Sequence, residues 1–459
     1  MRPITPDVFR AYDIRGIVDQ DFDPEWVESL GRACGTYFAE NGHMQAVVGR
    51  DCRHSSLSYQ QSLVQGLMDA EIDAIVLPMV PTPVLYYAIR ALNRQAGIMI
   101  TASHNPPEYN GFKVWSGMNT IHSEQIQRIY HIMHSGQFAQ GKGVASELDI
   151  IPDYIASLSS QTRLTKPLRV VVDGGNGSGG EICSQLLQQI GAEVISLYCR
   201  PDPDFPNHHP DPTVAENITD LQGMVLDQKA DVGIGLDGDG DRIGVVDDKG
   251  QILYGDRLLA IFARHVLPSN PGAKILAEVK CSHLLFQDIA AHGGLPEMCK
   301  TGHSLIKARM QETGALLAGE MSGHMFFADR YFGFDDALYA AQRLVEILDM
   351  EDRPLSTMLS DWPHTASTPE IRLDCPDSVK FQVVERAKTH FSPANDTYQV
   401  IDVDGVRLDF GDGWGLIRAS NTQPVLVLRF EAETKQRLQQ IRDFVETPLQ
   451  TWISELRQG

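Results

Sequence analysis

Short apolar runs alternate with amphipathic helical repeats along most of this chain, and that alternation restricts it to α/β architectures. Residues 25–40 place Trp26, Leu30, Cys34 and Phe38 on one helical face and end at Asn41-Gly42, a suitable helix stop. Residues 45–48 and 74–77 read as short buried strands around a helix carrying Leu63, Val64, Leu67 and Met68. The apolar run 96–100 reads as another strand, and it delivers the turn Thr-Ala-Ser-His-Asn-Pro at 101–106. Ser123 then stands where it can cap a helix whose inner side carries Ile126, Ile129, Tyr130 and Met133.

The rhythm fails over 137–166, which reads as a link between domains, and restarts at 168–172 with a strand, the turn DGGNGSGG, a helix from Glu181 and a strand at 194–198. A third unit starts near Leu253, with strands at 275–277 and 315–318, and a further break falls around 352–368. The remainder reads as strands and one terminal helix, with Leu438, Ile441, Val445, Leu449, Trp452 and Leu456 at helical spacing despite Pro448. A chain of 459 residues is too long for a single core. The expected division is 1–150, 151–252, 253–365 and 366–459, each within the usual domain size.

Hydrophobic residues make up 42% and charged residues 22% of the chain, which is an ordinary globular balance. The N-terminus lacks the apolar core of a signal peptide, and no apolar stretch is long enough to span a bilayer, so membrane attachment is not expected. Seven cysteines are scattered singly with no C-x-x-C pair, which suggests neither a disulfide framework nor a zinc knuckle and fits a reducing, cytoplasmic compartment. A net charge of -21 would repel nucleic acid at long range. It leaves room for a small phosphorylated ligand held by a local cluster of arginine, lysine and backbone amides.

The strongest chemical signal is Asp237-Gly-Asp239-Gly-Asp241-Arg242 between the apolar runs 232–234 and 243–246. Three carboxylates at alternate positions of a glycine-permitted loop can converge on one point. At about 4 Å and an effective dielectric near 20, each like-charge pair costs roughly 4 kcal/mol, so without a cation they splay apart or take up protons. An EF-hand is excluded, because its sixth position is Arg242 rather than Gly and its twelfth is Asp248 rather than Glu. A small hard ion such as Mg²⁺, completed by one further oxygen, suits the set.

The turn Gly175-Asn-Gly177-Ser-Gly-Gly180 matches G-x-G-x-x-G in form, but no acidic residue closes the next strand, so a packed strand-to-helix turn is the better reading than a nicotinamide site. Near the C-terminus Arg418-Ala-Ser420-Asn421-Thr422 precedes the apolar run 425–430 and offers a guanidinium, two hydroxyls, an amide and backbone N–H groups to a phosphate. Phe9-Arg-Ala-Tyr12-Asp-Ile-Arg15-Gly adds two arginines near a turn, and Lys113 follows the Ser103 turn. Gly319-Glu320-Met-Ser322-Gly-His324 and Lys300-Thr-Gly-His303 supply groups able to bind hydroxyls.

These six stretches, in this order and across essentially the full chain, resemble the α-D-phosphohexomutases, and FRAYDIRG with GEMSGH is most similar to the bacterial phosphomannomutase/phosphoglucomutase branch. The resemblance implies a heart-shaped molecule of three related α/β mixed-sheet domains and a smaller C-terminal α+β domain, with the active site where all four meet. It implies that Ser103 carries the phosphoryl group and touches Mg²⁺ held by Asp237, Asp239 and Asp241. It places Glu320 and Ser322 on sugar hydroxyls, and Arg418, Ser420, Asn421 and Thr422 on the phosphate that is not reacting. Tyr12, Lys280 and His303 become further cleft contacts. Arg15, His104, Lys113, Arg242 and His324 surround the reacting centre, with Lys113 or His324 as the base. The implied activity is reversible phosphoryl transfer between the 1- and 6-positions of mannose or glucose phosphates through a hexose 1,6-bisphosphate, in a monomer whose last domain swings.

Three other readings compete. Phosphoglucosamine mutase shares the machinery, but its sugar loop typically has Gln where this chain has Met321. A serine hydrolase would use Ser103 and His104, yet no G-x-S-x-G elbow is present and neighbours on a strand point their side chains apart. A non-catalytic sugar-phosphate sensor need not retain Ser103 with all three aspartates.

Overall fold

The computed structural model describes residues 2–391, 397–421 and 423–458. Its first sheet runs, in spatial order, Ile14–Ile17, Tyr109–Ser116, Ala96–Ile100, Gln45–Arg50, Asp73–Met79 and Ala145–Glu147. The last four strands are parallel to one another, while Tyr109–Ser116 runs antiparallel to both its neighbours. Ala96–Ile100 is buried at every position, as expected for a strand covered on both faces. Helices Pro24–Glu40, Ser56–Asp69 and Glu124–Ser135 share one core with the sheet, and Thr82–Ala91 packs into a separate one.

Two smaller mixed sheets repeat the plan. The second orders Ile252–Leu253, Ile243–Asp247, Val232–Leu236, Arg169–Asp173 and Glu193–Leu197; the third orders Leu295–Cys299, Lys274–Glu278, Leu317–Gly319 and Met325–Phe327. The fourth sheet is antiparallel and is built around Val425–Ala432 and Gly413–Ala419. One apolar core is continuous through the first three units, and helix Ala337–Met350 lies inside it. Every residue of that helix from Ala337 to Leu348 is buried, its polar Gln342, Arg343 and Glu346 included.

Three local expectations change, and that of a packed glycine turn holds. Residues 137–166 are not a bare link: Ala145–Glu147 extends the first sheet and Ile151–Ser159 is a helix. Ser123 precedes its helix with φ 51° and makes no side-chain cap; its backbone N–H donates to Ala11 O at 2.6 Å instead. The last unit holds a second helix, Asp377–Phe391, beside the terminal Lys435–Gln458, in which Pro448 is accommodated. The glycine turn at 174–180 is a packing device: a Cβ on Gly177 would stand 2.6 Å from Gly238 O. Among the described residues no helix is long and apolar enough to cross a membrane.

The topology brings four loops to the C-terminal ends of strands. The Ser103 turn follows Ala96–Ile100, the acidic loop follows Val232–Leu236, the 320–324 loop follows Leu317–Gly319, and the 420–424 loop follows Gly413–Ala419. Crevices at strand carboxyl ends are where open α/β sheets place their ligands.

Candidate active site

Ser103 has φ 51°, a left-handed conformation that costs a non-glycine residue about 1–2 kcal/mol. The surroundings enforce it. Ser103 N donates to Thr101 Oγ1 at 2.9 Å, and the buried Arg53 guanidinium gathers the carbonyls of Ser103 (2.8 Å), Asn105 (2.5 Å), Pro106 (2.6 Å) and Tyr109 (3.0 Å). Asp51 in turn holds Arg53 Nε at 3.2 Å. Arg15 Nη1 ties the same turn from the first strand through Asn105 Oδ1 at 2.9 Å.

This backbone twist overturns one argument from sequence. Ser103 and His104 are not consecutive strand residues, and His104 Nδ1 lies 3.1 Å from Ser103 Oγ rather than on the opposite face. Burial, reinforced by Arg242 and Arg15, holds His104 well below the usual imidazole pKa, so it is neutral.

The Ser103 hydroxyl donates to Asp237 Oδ2 at 2.7 Å, across the boundary between the first and second sheets. The approach depends on glycine, since a Cβ at Gly238 would stand 2.4 Å from Ser103 O. Asp237, Asp239 and Asp241 are 0%, 0% and 1% exposed, and each places a carboxylate oxygen within 4.8 Å of the others. Their mutual repulsion is visible: burial, with Asp241 and Asp239, pushes Asp237 well above the ordinary carboxyl range. Lys113 relieves part of it, with Nζ 2.8 Å from Asp239 Oδ2 and in contact with Asp241 Oδ2. Burial works against the Lys113 ammonium, but the two aspartates overcome it and hold the proton more firmly than usual.

Whether these carboxylates also suit a metal can be judged from their free valences. Asp239 Oδ1 is buried and makes no hydrogen bond, which is the condition a cation would satisfy, while Asp241 Oδ1 is buried with His324 Nε2 3.2 Å away. With Asp237 they form an all-oxygen donor set of the kind hard divalent ions take, so the residues fit such an ion.

His324 joins this centre to the 320–324 loop. One ring nitrogen, Nδ1, lies 2.6 Å from Glu320 Oε2, and Nε2 sits 3.2 Å from Asp241 Oδ1 and 3.3 Å from Arg242 Nε. Burial and Arg242 oppose protonation, yet Asp241 and Glu320 lift its pKa to about 9. Both residues singled out as bases, Lys113 and His324, thus hold protons at neutral pH in this arrangement. Ser322 Oγ lies 3.4 Å from His324 Nδ1.

The remaining groups line the adjoining side. Glu320 Oε1 accepts from Gly302 N at 2.7 Å, next to His303. Tyr12 hydrogen-bonds the Asn421 side chain, bringing the first and fourth units together. Arg418 Nε donates to Asp404 Oδ2 at 2.9 Å, while its buried Nη2 makes no hydrogen bond and is available to an anion. Ser420 Oγ accepts from Gln423 N at 3.1 Å. Lys280 Nζ reaches Glu370 Oε2 at 3.0 Å, from the third unit to the fourth. Thr422 lies outside the described residues. A cavity of about 370 Å³ opens between Tyr12, Lys300, Asp404 and Asn421; it does not reach Ser103.

Sequence reasoning missed three supporting residues. Arg53 follows the strand Gln45–Arg50 in Arg-Asp-Cys-Arg-His-Ser, where a charged run at a strand's C-terminal end was the available signal. Thr82 donates through Oγ1 to Asp239 Oδ2 at 2.6 Å and through N to Asp239 O at 2.8 Å. Glu278, fully buried, accepts from Lys280 N at 2.9 Å and from Thr301 Oγ1 at 2.8 Å. Arg53→Ala takes the guanidinium away from four carbonyls and from Asp51 Oδ2. We expect it to cost about 3–5 kcal/mol of stability and, through a misplaced Ser103, about 10²-fold in turnover. Thermal melts and kcat measured on the same preparation check this; an Arg53→Ala protein with wild-type values of both would contradict the clamp.

Comparison with known proteins places this geometry. The four domains of one family match in sequence: Phosphoglucomutase/phosphomannomutase, alpha/beta/alpha domain I at 6–140, domain II at 152–250 and domain III at 254–365, and the C-terminal domain at 370–447. The chain is 47% identical to the phosphomannomutase/phosphoglucomutase of Pseudomonas aeruginosa over 98% of its length and 96% of that relative. It is 45% identical to the phosphoglucomutase of Neisseria gonorrhoeae, covering 96% of each. A crystal structure of a phosphoglucomutase/phosphomannomutase family protein from Burkholderia thailandensis superposes with a TM-score of 0.92 at 41% identity over 98% of both chains. With all four domains present in order and the Ser103 turn seated on the acidic loop, the chain belongs to the bacterial phosphoglucomutase/phosphomannomutase family of α-D-phosphohexomutases.

Proposed function

We propose that this protein interconverts the 1- and 6-phosphates of mannose and glucose, with Ser103 as the phosphoryl carrier and a hexose 1,6-bisphosphate as intermediate and activator. The observation that carries the reading is the 2.7 Å contact between Ser103 Oγ and Asp237, inside a fully buried triad of carboxylates. Mg²⁺ is the proposed ion, held by Asp237, Asp239 and Asp241 with an oxygen at Ser103. Once bound it would offset the charge of these carboxylates and of a phosphoryl group on the serine.

The chain's own residues supply the rest. Arg53 and Thr101 hold Ser103 in place for in-line transfer, and Asp237 is the acceptor of its hydroxyl proton when the serine is rephosphorylated, with His104 Nδ1 beside the same oxygen. Lys113, Arg242 and Arg15 bring positive charge to the equatorial phosphoryl oxygens. Glu320, Ser322, His324, His303 and Lys280 face the sugar. Arg418, Tyr12 and the 420–422 loop take the distal phosphate, where the free Arg418 Nη2 supports the assignment. A monomer is proposed because the four units of one chain supply every residue named. A reducing, cytoplasmic setting accords with seven unpaired cysteines, six of them buried.

Substrate access requires movement. Ser103 and Arg418 are 2% and 4% exposed, so little of either is open to an incoming hexose phosphate. We propose that residues 370–459 rotate away to admit substrate and to let the bisphosphate turn over. The moving contacts include Lys280–Glu370 and Tyr12–Asn421. Small-angle scattering with and without a hexose phosphate is expected to show a more compact liganded form; identical profiles, together with free and bound structures showing no rotation, would exclude the swing.

Rates with mannose, glucose and glucosamine phosphates test the activity. Comparable turnover of the first two, with glucosamine phosphate much poorer, is expected from Met321 in the sugar loop. The contact between His104 and Ser103 keeps one second reading in view, a phosphate-ester hydrolase; release of inorganic phosphate with water as acceptor, matching the isomerisation rate, would favour it.

A further inference from the structure

We infer that Lys307, backed by Asp335, is a positioning residue that fixes the tautomer of His303, so that His303 presents an Nε2–H donor. The functional half of this inference rests on the reading above, in which His303 faces the hexose phosphate. Lys307 lies one helical turn after His303 on the inner side of helix His303–Thr313, and neither it nor Asp335 is used by the phosphoryl-transfer chemistry. Lys307 is 1% and Asp335 0% exposed. Lys307 Nζ stands 2.6 Å from Asp335 Oδ1, 3.2 Å from His303 Nδ1 and 4.4 Å from the centre of the Tyr86 ring, which comes from the first unit.

The chemistry of these atoms settles the direction. Burial loosens the hold of Lys307 on its proton, but the ion pair with Asp335 opposes that loss and favours the ammonium, which only donates, so the His303 nitrogen facing it is the acceptor. A neutral imidazole that accepts at Nδ1 carries its proton on Nε2. Asp335 is poised to impose the opposite state. Its Oδ2 is buried, makes no hydrogen bond, and lies 3.5 Å from the same Nδ1. Without the Lys307 ammonium that carboxylate becomes the nearest partner of Nδ1 and draws the proton to it, turning Nε2 into an acceptor. Asp241, His324 and Asp335 also bring ligand atoms within 4.8 Å of one another, but Lys307 and Lys113 already neutralise those two carboxylates, so the cluster reads as an ion-pair network. Tyr86 floors the ammonium and ties the arrangement to the first unit.

The test is ¹⁵N NMR of the full chain with labelled histidine, the His303 signal being assigned by its absence in His303→Gln. Wild-type protein is expected to show the Nε2–H form, and Lys307→Met the Nδ1–H form with kcat lowered about tenfold or more, as for loss of a partner that orients a ligating histidine. An Nδ1–H signal in the wild type would overturn the inference, as would a folded Lys307→Met protein with an unchanged tautomer. A flipped tautomer with unchanged kinetics would overturn its functional half. Should Lys307→Met fail to fold, the wild-type spectrum alone decides. Failure of the mutase reading shows separately, as absence of hexose-phosphate isomerisation by the wild type.

Discussion

Ser103→Ala is expected to abolish isomerisation, lowering turnover by at least about 10³-fold, or about 4 kcal/mol of barrier, without unfolding the protein. The reasoning follows the geometry. Ser103 Oγ is the hydroxyl donating to the acidic triad, and its backbone is held by contacts that survive loss of the side chain: Arg53 to Ser103 O and Ser103 N to Thr101 Oγ1. The alanine protein must still adopt φ near 51°, so a modest loss of stability is expected as well. Because the residues proposed to bind the sugar and the distal phosphate lie on other loops, binding of a hexose 1-phosphate should persist while turnover is lost. Titration calorimetry alongside a coupled assay separates the two. An alanine protein that isomerises at the wild-type rate would remove the covalent mechanism.

Chelation of divalent ions is expected to lower turnover by at least about 10²-fold, close to 3 kcal/mol, with recovery on adding Mg²⁺. The triad gives a second, less obvious signature. Asp237 is pushed up by burial and by its two neighbours, so its charge costs the folded state free energy in the absence of an ion. Asp237→Asn removes that charge and keeps a carbonyl oxygen for the Asp241 and Arg242 amides. In chelator it should therefore melt at the same or a higher temperature than wild type, yet show little turnover at any Mg²⁺ concentration. A variant that melts lower and stays active would mean the triad is an ordinary structural cluster. The sign is particular to this residue: Asp241 is pulled well below the ordinary range because Lys113 and His324 outweigh the effect of burial.

The features legible in the sequence were those with a local pattern. Strand 96–100 and helix 25–40 were readable from unbroken or 3.6-periodic apolar residues, and the acidic loop from alternating Asp and Gly. Helix Asp377–Phe391 escaped because its apolar residues are interleaved with lysine and glutamate. Within the candidate site, the residues legible in the sequence were those on quotable loops, while Arg53, Thr82, Glu278 and Lys307 were not legible. Each of these acts through backbone carbonyls or through partners distant in the chain: Arg53 spans 50 residues to Ser103, and Thr82 spans 157 to Asp239. The Ser103–His104 relation was misjudged for a different reason. A strand-type alternation was assumed where the backbone turns left-handed, and only the three-dimensional clamp of Arg53 shows why it does.

Intact mass before and after incubation with glucose 1,6-bisphosphate and Mg²⁺, followed by peptide mapping, reaches the central claim most directly. Gain of one phosphoryl group on the peptide bearing Ser103, absent in Ser103→Ala, is the predicted result. An unmodified protein that nonetheless isomerises hexose phosphates, or a phosphoryl group lodged on any other side chain, would contradict it.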